Sequence, residues 1–269
     1  MKMHVVTGLP RAGSTLLCNI LNQNPRFWAN STSPLPNFLS SIINIWSNSI
    51  ETKNLLEKDR INTETKMQNC LTSFAQNWLY QPEKEIFFDK SRGWTHHYFL
   101  LKRIFPDAKM VVLIRDLRSV FASVEKQHRK TPLFDDTQDP VQKGIFQRAD
   151  QMFSPNGIIG HCLEGIMDLI RRDTKDVLFI PYEGLSKNPK FTMEKIYEEI
   201  GEPSFKHDFD NITNTAIDCD GHYLYKFPHE GSGKVTAVKA DDWKEYIPND
   251  LATTIMQRFN EYNKFFSYI

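Results

Sequence analysis

Gly8, Gly13, Ser14 and Thr15, within HVVTGLPRAGSTLL (His4 to Leu17), have the types and spacing of a turn that holds an anion. Successive backbone N–H groups and a helix amino terminus would face the ligand, and Gly13 would let the chain approach it closely. In the nucleoside triphosphate version of this turn, a lysine directly follows the second glycine. Here that lysine is missing, and the positive charge lies inside the turn at Arg11. Ser14 and Thr15 add hydroxyl donors; a turn in which they only cap the helix is the alternative.

Two further segments carry cations to strand ends. VVLIRDLRSVFAS (Val111 to Ser123) sets Arg115 at the carboxyl end of an apolar run and Ser123 farther along the next helix. An arginine there can fork onto a phosphate, or pair with an acidic neighbour such as Asp116. FFDKSRGW (Phe87 to Trp94) ends a second run with Lys90 and Arg92. Ligands of parallel α/β sheets collect at this edge.

The elements that must position these residues follow from periodicity. Strand-like runs at Met3 to Thr7, Ile86 to Asp89, Lys109 to Ile114 and Val177 to Pro181 alternate with helical patterns, which predicts an α/β fold with a central parallel sheet flanked by helices. KMVVLIR is apolar at consecutive positions and is expected at the sheet's middle. Helices are expected at Ser14 to Asn22, Asn37 to Ser49, Thr63 to Tyr80, Thr95 to Ile104, Leu117 to His128, Val141 to Met152, Ile158 to Arg172, Phe191 to Ile200 and Asp250 to Phe266. Lys130 to Pro140 and Phe227 to Asp242 read as polar loops.

Length and composition narrow the class. With 269 residues and 40% hydrophobic content, one domain over 1–269 is expected. Lys plus Arg (33) equals Asp plus Glu (33), so overall charge favours neither a nucleic acid nor an anionic membrane as partner. An anion site must therefore be local. Cys18, Cys70, Cys162 and Cys219 form neither metal-type pairs nor a dense disulfide pattern, and no run approaches the ~20 apolar residues of a membrane span. A cytoplasmic protein is expected.

Taken together, PRAGST with LLCNILNQNP, then DKSRGW, RIFPDAKMVVLIRDLRSVFAS, PYEGLSKNP and DDWKEYIP resemble the sulfotransferase family, in that family's order and over most of the chain. The flavour is that of the branch containing tyrosylprotein sulfotransferases and bacterial relatives, while DWK is also similar to cytosolic small-molecule sulfotransferases. The resemblance implies a fold related to nucleotide kinases and a donor, 3′-phosphoadenosine 5′-phosphosulfate (PAPS), from which the sulfuryl group moves without a metal. Adenosine 3′,5′-bisphosphate (PAP) is then the product. It assigns Pro10 to Leu16 (with Arg11, Ala12, Gly13, Ser14, Thr15 and Leu16) to the 5′-phosphosulfate, Arg115 and Ser123 to the 3′-phosphate, and Tyr182 to the nucleoside. Lys90 matches the lysine that relatives place on the leaving oxygen, with Arg11 as second cation. The absent loop lysine becomes an expected feature.

The base is not matched. Where relatives carry a glutamate after the first helix, this chain has RFWANSTSPLP, and where cytosolic relatives carry a histidine it has Arg92. His96, His97 and Asp89 are the remaining candidates, His96 first. In GSGKVTAVKADDWK, Lys234 is the candidate for a segment closing over the donor, with Lys239 behind it, and Trp243 packs under the nucleotide or in the core. Phe27 to Trp46 supplies aromatic residues for an acceptor pocket or for the core. The acceptor is expected to be a carbohydrate, a peptide tyrosine or a small alcohol or phenol. The competing functions are a small-molecule or nucleotide kinase with a degenerate loop, and a nucleotide-binding module without chemistry.

Overall fold

The computed structural model describes residues 1–130, 144–216, 231–239 and 241–268. Five parallel strands, β1 (Lys2–Gly8), β2 (Phe27–Thr32), β3 (Ile86–Lys90), β4 (Met110–Ile114) and β5 (Val177–Pro181), form one sheet in the order β2-β3-β1-β4-β5. β1 therefore holds the centre, with β4 beside it, which corrects the expectation for KMVVLIR. β3 and β4 are buried at every position and β1 at all but its first. Apolar content alone does not rank such strands, and His4 and Thr7 make β1 look less central than it is.

Twelve helices surround the sheet among the described residues: α1 (Ser14–Leu21), α2 (Leu35–Asn48), α3 (Ile50–Lys58), α4 (Arg60–Leu79), α5 (Tyr98–Ile104), α6 (Leu117–Lys130), α7 (Ile145–Met152), α8 (Ile158–Arg171), α9 (Tyr182–Lys187), α10 (Pro189–Ile200), α11 (Asn249–Arg258) and α12 (Asn260–Phe265). Short 3-10 turns at Arg92–His96 and Asp242–Glu245 complete the list. Four expectations change in detail. The helix from Thr95 starts as a 3-10 turn and becomes α-helical at Tyr98; the last helix breaks at Phe259; and α3 and α9 were not foreseen. Of the expected loops, 131–140, 227–230 and 240 lie outside the described residues, as do 141–143 of the helix expected from Val141.

β2 was also unforeseen. FWANST is poor in β-branched residues, yet Phe27 and Ala29 bury their side chains and pair with Ile86 and Phe88. The register slips between Ala29 and Thr32, and that slip turns Asn30 toward the end of β3. The buried apolar side chains form a continuous core on both sides of the sheet, with Trp94, Phe27, Phe87, Phe88 and Phe121 among its largest members. No helix among the described residues is long and apolar enough to cross a membrane.

His4 makes this core sensitive to acid. It is 1% exposed, its Nδ1 accepts the Lys109 N–H at 3.0 Å, and burial, followed by the charge of Lys2, holds its pKa at about 3 against 6.5 ordinarily. The unfolded chain takes up a proton that the native chain refuses, so stability falls as pH drops below about 6.5 and continues to fall toward about 3. By pH 5 the loss from His4 amounts to about 2 kcal/mol. His207, held at about 4 by burial, acts in the same direction. His4→Asn keeps an acceptor for Lys109 and should flatten the dependence of unfolding free energy on pH between 5 and 7 in denaturant titrations. An unchanged slope would remove His4 from this role.

Candidate anion site at the carboxyl edge of the sheet

The turn after β1 is shaped by two glycines. Gly8 has φ 129°, and a Cβ there would lie 2.1 Å from the Leu113 carbonyl oxygen, so only glycine lets β1 leave the sheet this close to β4. Gly13 has φ 83°, and a Cβ there would meet the Tyr182 ring at 2.5 Å. Tyr182 thereby closes one side of the turn. Gly13 is the N-cap of α1, and no side chain caps the helix. Ser14 is its first residue, so the capping role foreseen for Ser14 and Thr15 is not taken up. The amino-terminal N–H groups of α1, which have no acceptors within the helix, give this end its affinity for anions.

Arg11, between the glycines, adopts φ 59°, a conformation that costs a non-glycine residue about 1–2 kcal/mol. Its contacts hold it there. The Arg11 carbonyl accepts from Arg115 Nη1 at 2.9 Å, and Arg11 Nε donates to Ser123 Oγ at 3.1 Å. Arg11 is thus brought together with Arg115 and Ser123, from which it lies far in sequence. Arg115 is 7% exposed, lies 4.8 Å from the Tyr182 ring centroid, and ends β4 where Tyr262 Oη donates to its carbonyl at 2.9 Å.

Arg115 does not pair with Asp116, which is engaged by Arg118. Its partner is Asp242: Arg115 Nη2 donates to Oδ2 at 2.8 Å, while Ser119 Oγ donates to Oδ1 at 2.5 Å. Among the described residues, Nε of Arg115 is buried with no partner. A buried donor left over on a guanidinium is costly unless a ligand shares the group, so this corner suits an anion. Ser119 and Asp242 were not foreseen. Asp242 adjoins the noted Trp243, whose ring packs in the core with the Arg118 guanidinium 5.0 Å from its centroid.

Lys90 adds a cation from the neighbouring strand. Parallel pairing sets Val6 opposite Lys90, and the Lys90 ammonium donates to Thr15 Oγ1, in the first turn of α1, at 2.8 Å. A lysine from the neighbouring strand thus reaches the helix end that a loop lysine would serve. Both side chains are buried.

Behind Lys90, Asn30 fixes the strand end. Its Oδ1 accepts the Lys90 N–H at 2.6 Å and its Nδ2 donates to Asp89 Oδ1 at 2.5 Å. Asp89 is fully buried and also accepts from Trp94 Nε1 at 2.7 Å. Burial raises its pKa, against the hydrogen bonds from Asn30, Ser33 and Trp94 that lower it. An enclosed carboxyl group with these partners ties the end of β3 to β2 and to Trp94.

The remaining candidates are placed elsewhere. His96 stacks on His161 at 4.0 Å between centroids, and its Nε2 meets the His161 carbonyl at 2.9 Å, so it faces α8. His97 lies 3.1 Å from Ser40 Oγ, and burial, then the neighbouring His96 and His161, lowers its pKa. Lys234 pairs with Asp210 at 2.8 Å and is mostly exposed. The segment that carries it does reach the turn's helix at its start, where Asn19 Nδ2 donates to the Gly231 carbonyl at 2.8 Å. Asn19 also binds the backbone N–H groups of Thr215 and Ala216, which makes it an unforeseen clamp between α1 and the carboxyl-terminal segment.

The profile of the sulfotransferase family matches residues 5–207, spanning the turn, Lys90, Arg115, Ser123 and Tyr182. The chain belongs to the sulfotransferase family. Among sulfotransferases, a flavonol 4′-sulfotransferase of Flaveria chlorifolia is 23% identical over 173 residues, covering 58% of this chain and 52% of the relative. The chain thus spans about half the length of that curated relative. Among solved structures, the sulfotransferase domain of the Synechococcus PCC 7002 olefin synthase superposes with TM-score 0.56 at 16% identity, covering 94% of each chain. A mouse sulfotransferase complexed with PAP gives TM-score 0.54 at 13% identity, over 97% of this chain and 83% of that one. These likenesses establish the sulfotransferase fold, related to the nucleotide kinases, that the sequence implied.

Proposed function

We propose that this chain, acting as one sulfotransferase domain over residues 1–269, moves a sulfuryl group from PAPS to a hydroxyl or amine acceptor and releases PAP. The observation that carries the reading is the convergence of Arg11, Lys90 and Arg115, from the turn after β1 and the ends of β3 and β4, on one glycine-bearing turn. The residues fit the donor's anionic ends: helix N–H groups, Arg11 and Lys90 for the 5′-phosphosulfate, and Arg115 with Ser123 for the 3′-phosphate. Tyr182, against both Gly13 and Arg115, suits a wall for the nucleoside.

In such a transfer the acceptor attacks sulfur in line and negative charge grows on the bridging oxygen. A buried ammonium at that oxygen stabilises the transition state more than the ground state. Lys90 is the group for this role, with Arg11 second. Among the described residues, the thiols of Cys70 and Cys162 are free, which suits work in a reducing, cytoplasmic compartment. The test is acceptor-dependent release of PAP from PAPS in the presence of a chelator, across a panel of phenols, alcohols, amines and glycosides. Turnover of ATP with magnesium and none of PAPS would replace this reading with a kinase.

A further inference from the structure

A second concavity opens beside the strand end that carries Lys90. It encloses about 240 Å³ between the end of β2 with the residues after it and the end of α4. Its position relative to the cation is set by the backbone: Thr32 pairs with Lys90, the Ser33 N–H donates to the Lys90 carbonyl at 2.8 Å, and Asn30 accepts the Lys90 N–H. Two indoles, Trp28 and Trp78, contribute walls. Trp78 is 47% exposed and is held from behind by Phe38, at 5.1 Å, and Phe74, at 6.4 Å between centroids. The consecutive residues Asn30, Ser31, Thr32 and Ser33 line another side, with Gln81 beyond Trp78.

We infer that this cleft is the acceptor site of the proposed transfer and that it takes one neutral sugar ring. The inference rests on the sulfuryl-transfer reading above. Three features select the ligand class. No lining residue among the described ones is charged, so they offer no partner to a carboxylated or sulfated saccharide, or to a cationic amine. Asn30 and Ser33 are bonded to Asp89, which leaves Ser31 and Gln81 to bring a hydroxyl and a carboxamide to the cleft; a flat phenol would cover them without pairing them, whereas the hydroxyls around a sugar ring exchange hydrogen bonds with them. The indoles supply broad apolar surfaces for the C–H face of the ring. The volume lies below the roughly 300–1,000 Å³ of sites for drug-sized ligands, which limits the cleft to a single ring, with any further residues of the acceptor outside.

The test titrates the PAP-saturated protein with methyl β-D-glucopyranoside, methyl α-D-mannopyranoside and a naphthol, read by saturation-transfer NMR, in the native chain and in Trp78→Ala and Gln81→Ala. Trp78 lies in the last turn of α4 and Gln81 just beyond that helix, both outside the anion site. PAP affinity is measured in parallel. At least one glycoside should bind, and should bind about tenfold or more weakly in Trp78→Ala with PAP affinity unchanged. Binding of naphthol with no glycoside bound, or glycoside binding that survives both substitutions, would overturn the inference. Absence of glycoside binding while PAP binds would do the same and leave the transfer reading standing. Failure of PAP itself would sink the transfer reading, and the glycoside titration of the free protein would still report on the cleft.

Discussion

Lys90→Met should lower kcat by about 10²–10³-fold, the usual cost of losing one preorganised donor to a developing negative charge. The substitution leaves an unbranched side chain one atom shorter in a buried environment and removes the charge and the hydrogen bond to Thr15. Because the ammonium's role is greatest when the S–O bond is breaking, PAP affinity should change by less than about tenfold, and the loss should fall on kcat more than on KM. Steady-state kinetics with PAPS, calorimetry with PAP and a thermal melt of each protein separate these effects. Equal turnover in variant and parent would remove Lys90 from the chemistry. A fall in PAP affinity as large as the fall in kcat would make it a binding residue.

Arg115→Met should weaken PAP by about 10²–10³-fold, since charge-assisted hydrogen bonds contribute about 1.5–3 kcal/mol each and the guanidinium offers more than one. The variant also leaves the Asp242 carboxylate, which Arg115 now neutralises, beside the incoming phosphate. The discriminating readout is adenosine 5′-phosphate, which lacks the 3′-phosphate. Its affinity should be nearly the same in variant and parent, and Arg115→Lys should recover part of the PAP affinity. A uniform loss for both nucleotides would indicate that Arg115 acts by supporting the turn through the Arg11 carbonyl.

The turn was legible in sequence because its determinants are local: two glycines, a cation and two hydroxyls within a short stretch between a strand and a helix. Lys90 and Arg115 were legible as strand ends, and parallel pairing converts strand ends into neighbours. What escaped depends on contacts distant along the chain or on an irregular strand. Asp242 reaches Arg115 across 127 positions, and nothing local marks that aspartate as a partner. Asn30 sits on a strand whose polar composition hides it, and its role arises from the slip in the β2–β3 register. Spacing counted from Lys90 pointed to Arg92, and His96 was considered as a titratable group nearby; the 3-10 turn sets that histidine against α8.

The most direct test of the central claim, that three cations around a glycine turn form a site for the 3′,5′-bisphosphate of the sulfuryl donor, is calorimetric titration of the native chain in a chelating buffer. PAP should bind tightly without metal, and adenosine 5′-phosphate should bind at least about 10²-fold more weakly, in line with loss of the contacts to Arg115. Equal affinities for the two nucleotides, or tight binding of ATP that requires magnesium while PAP gives no heat, would contradict the account.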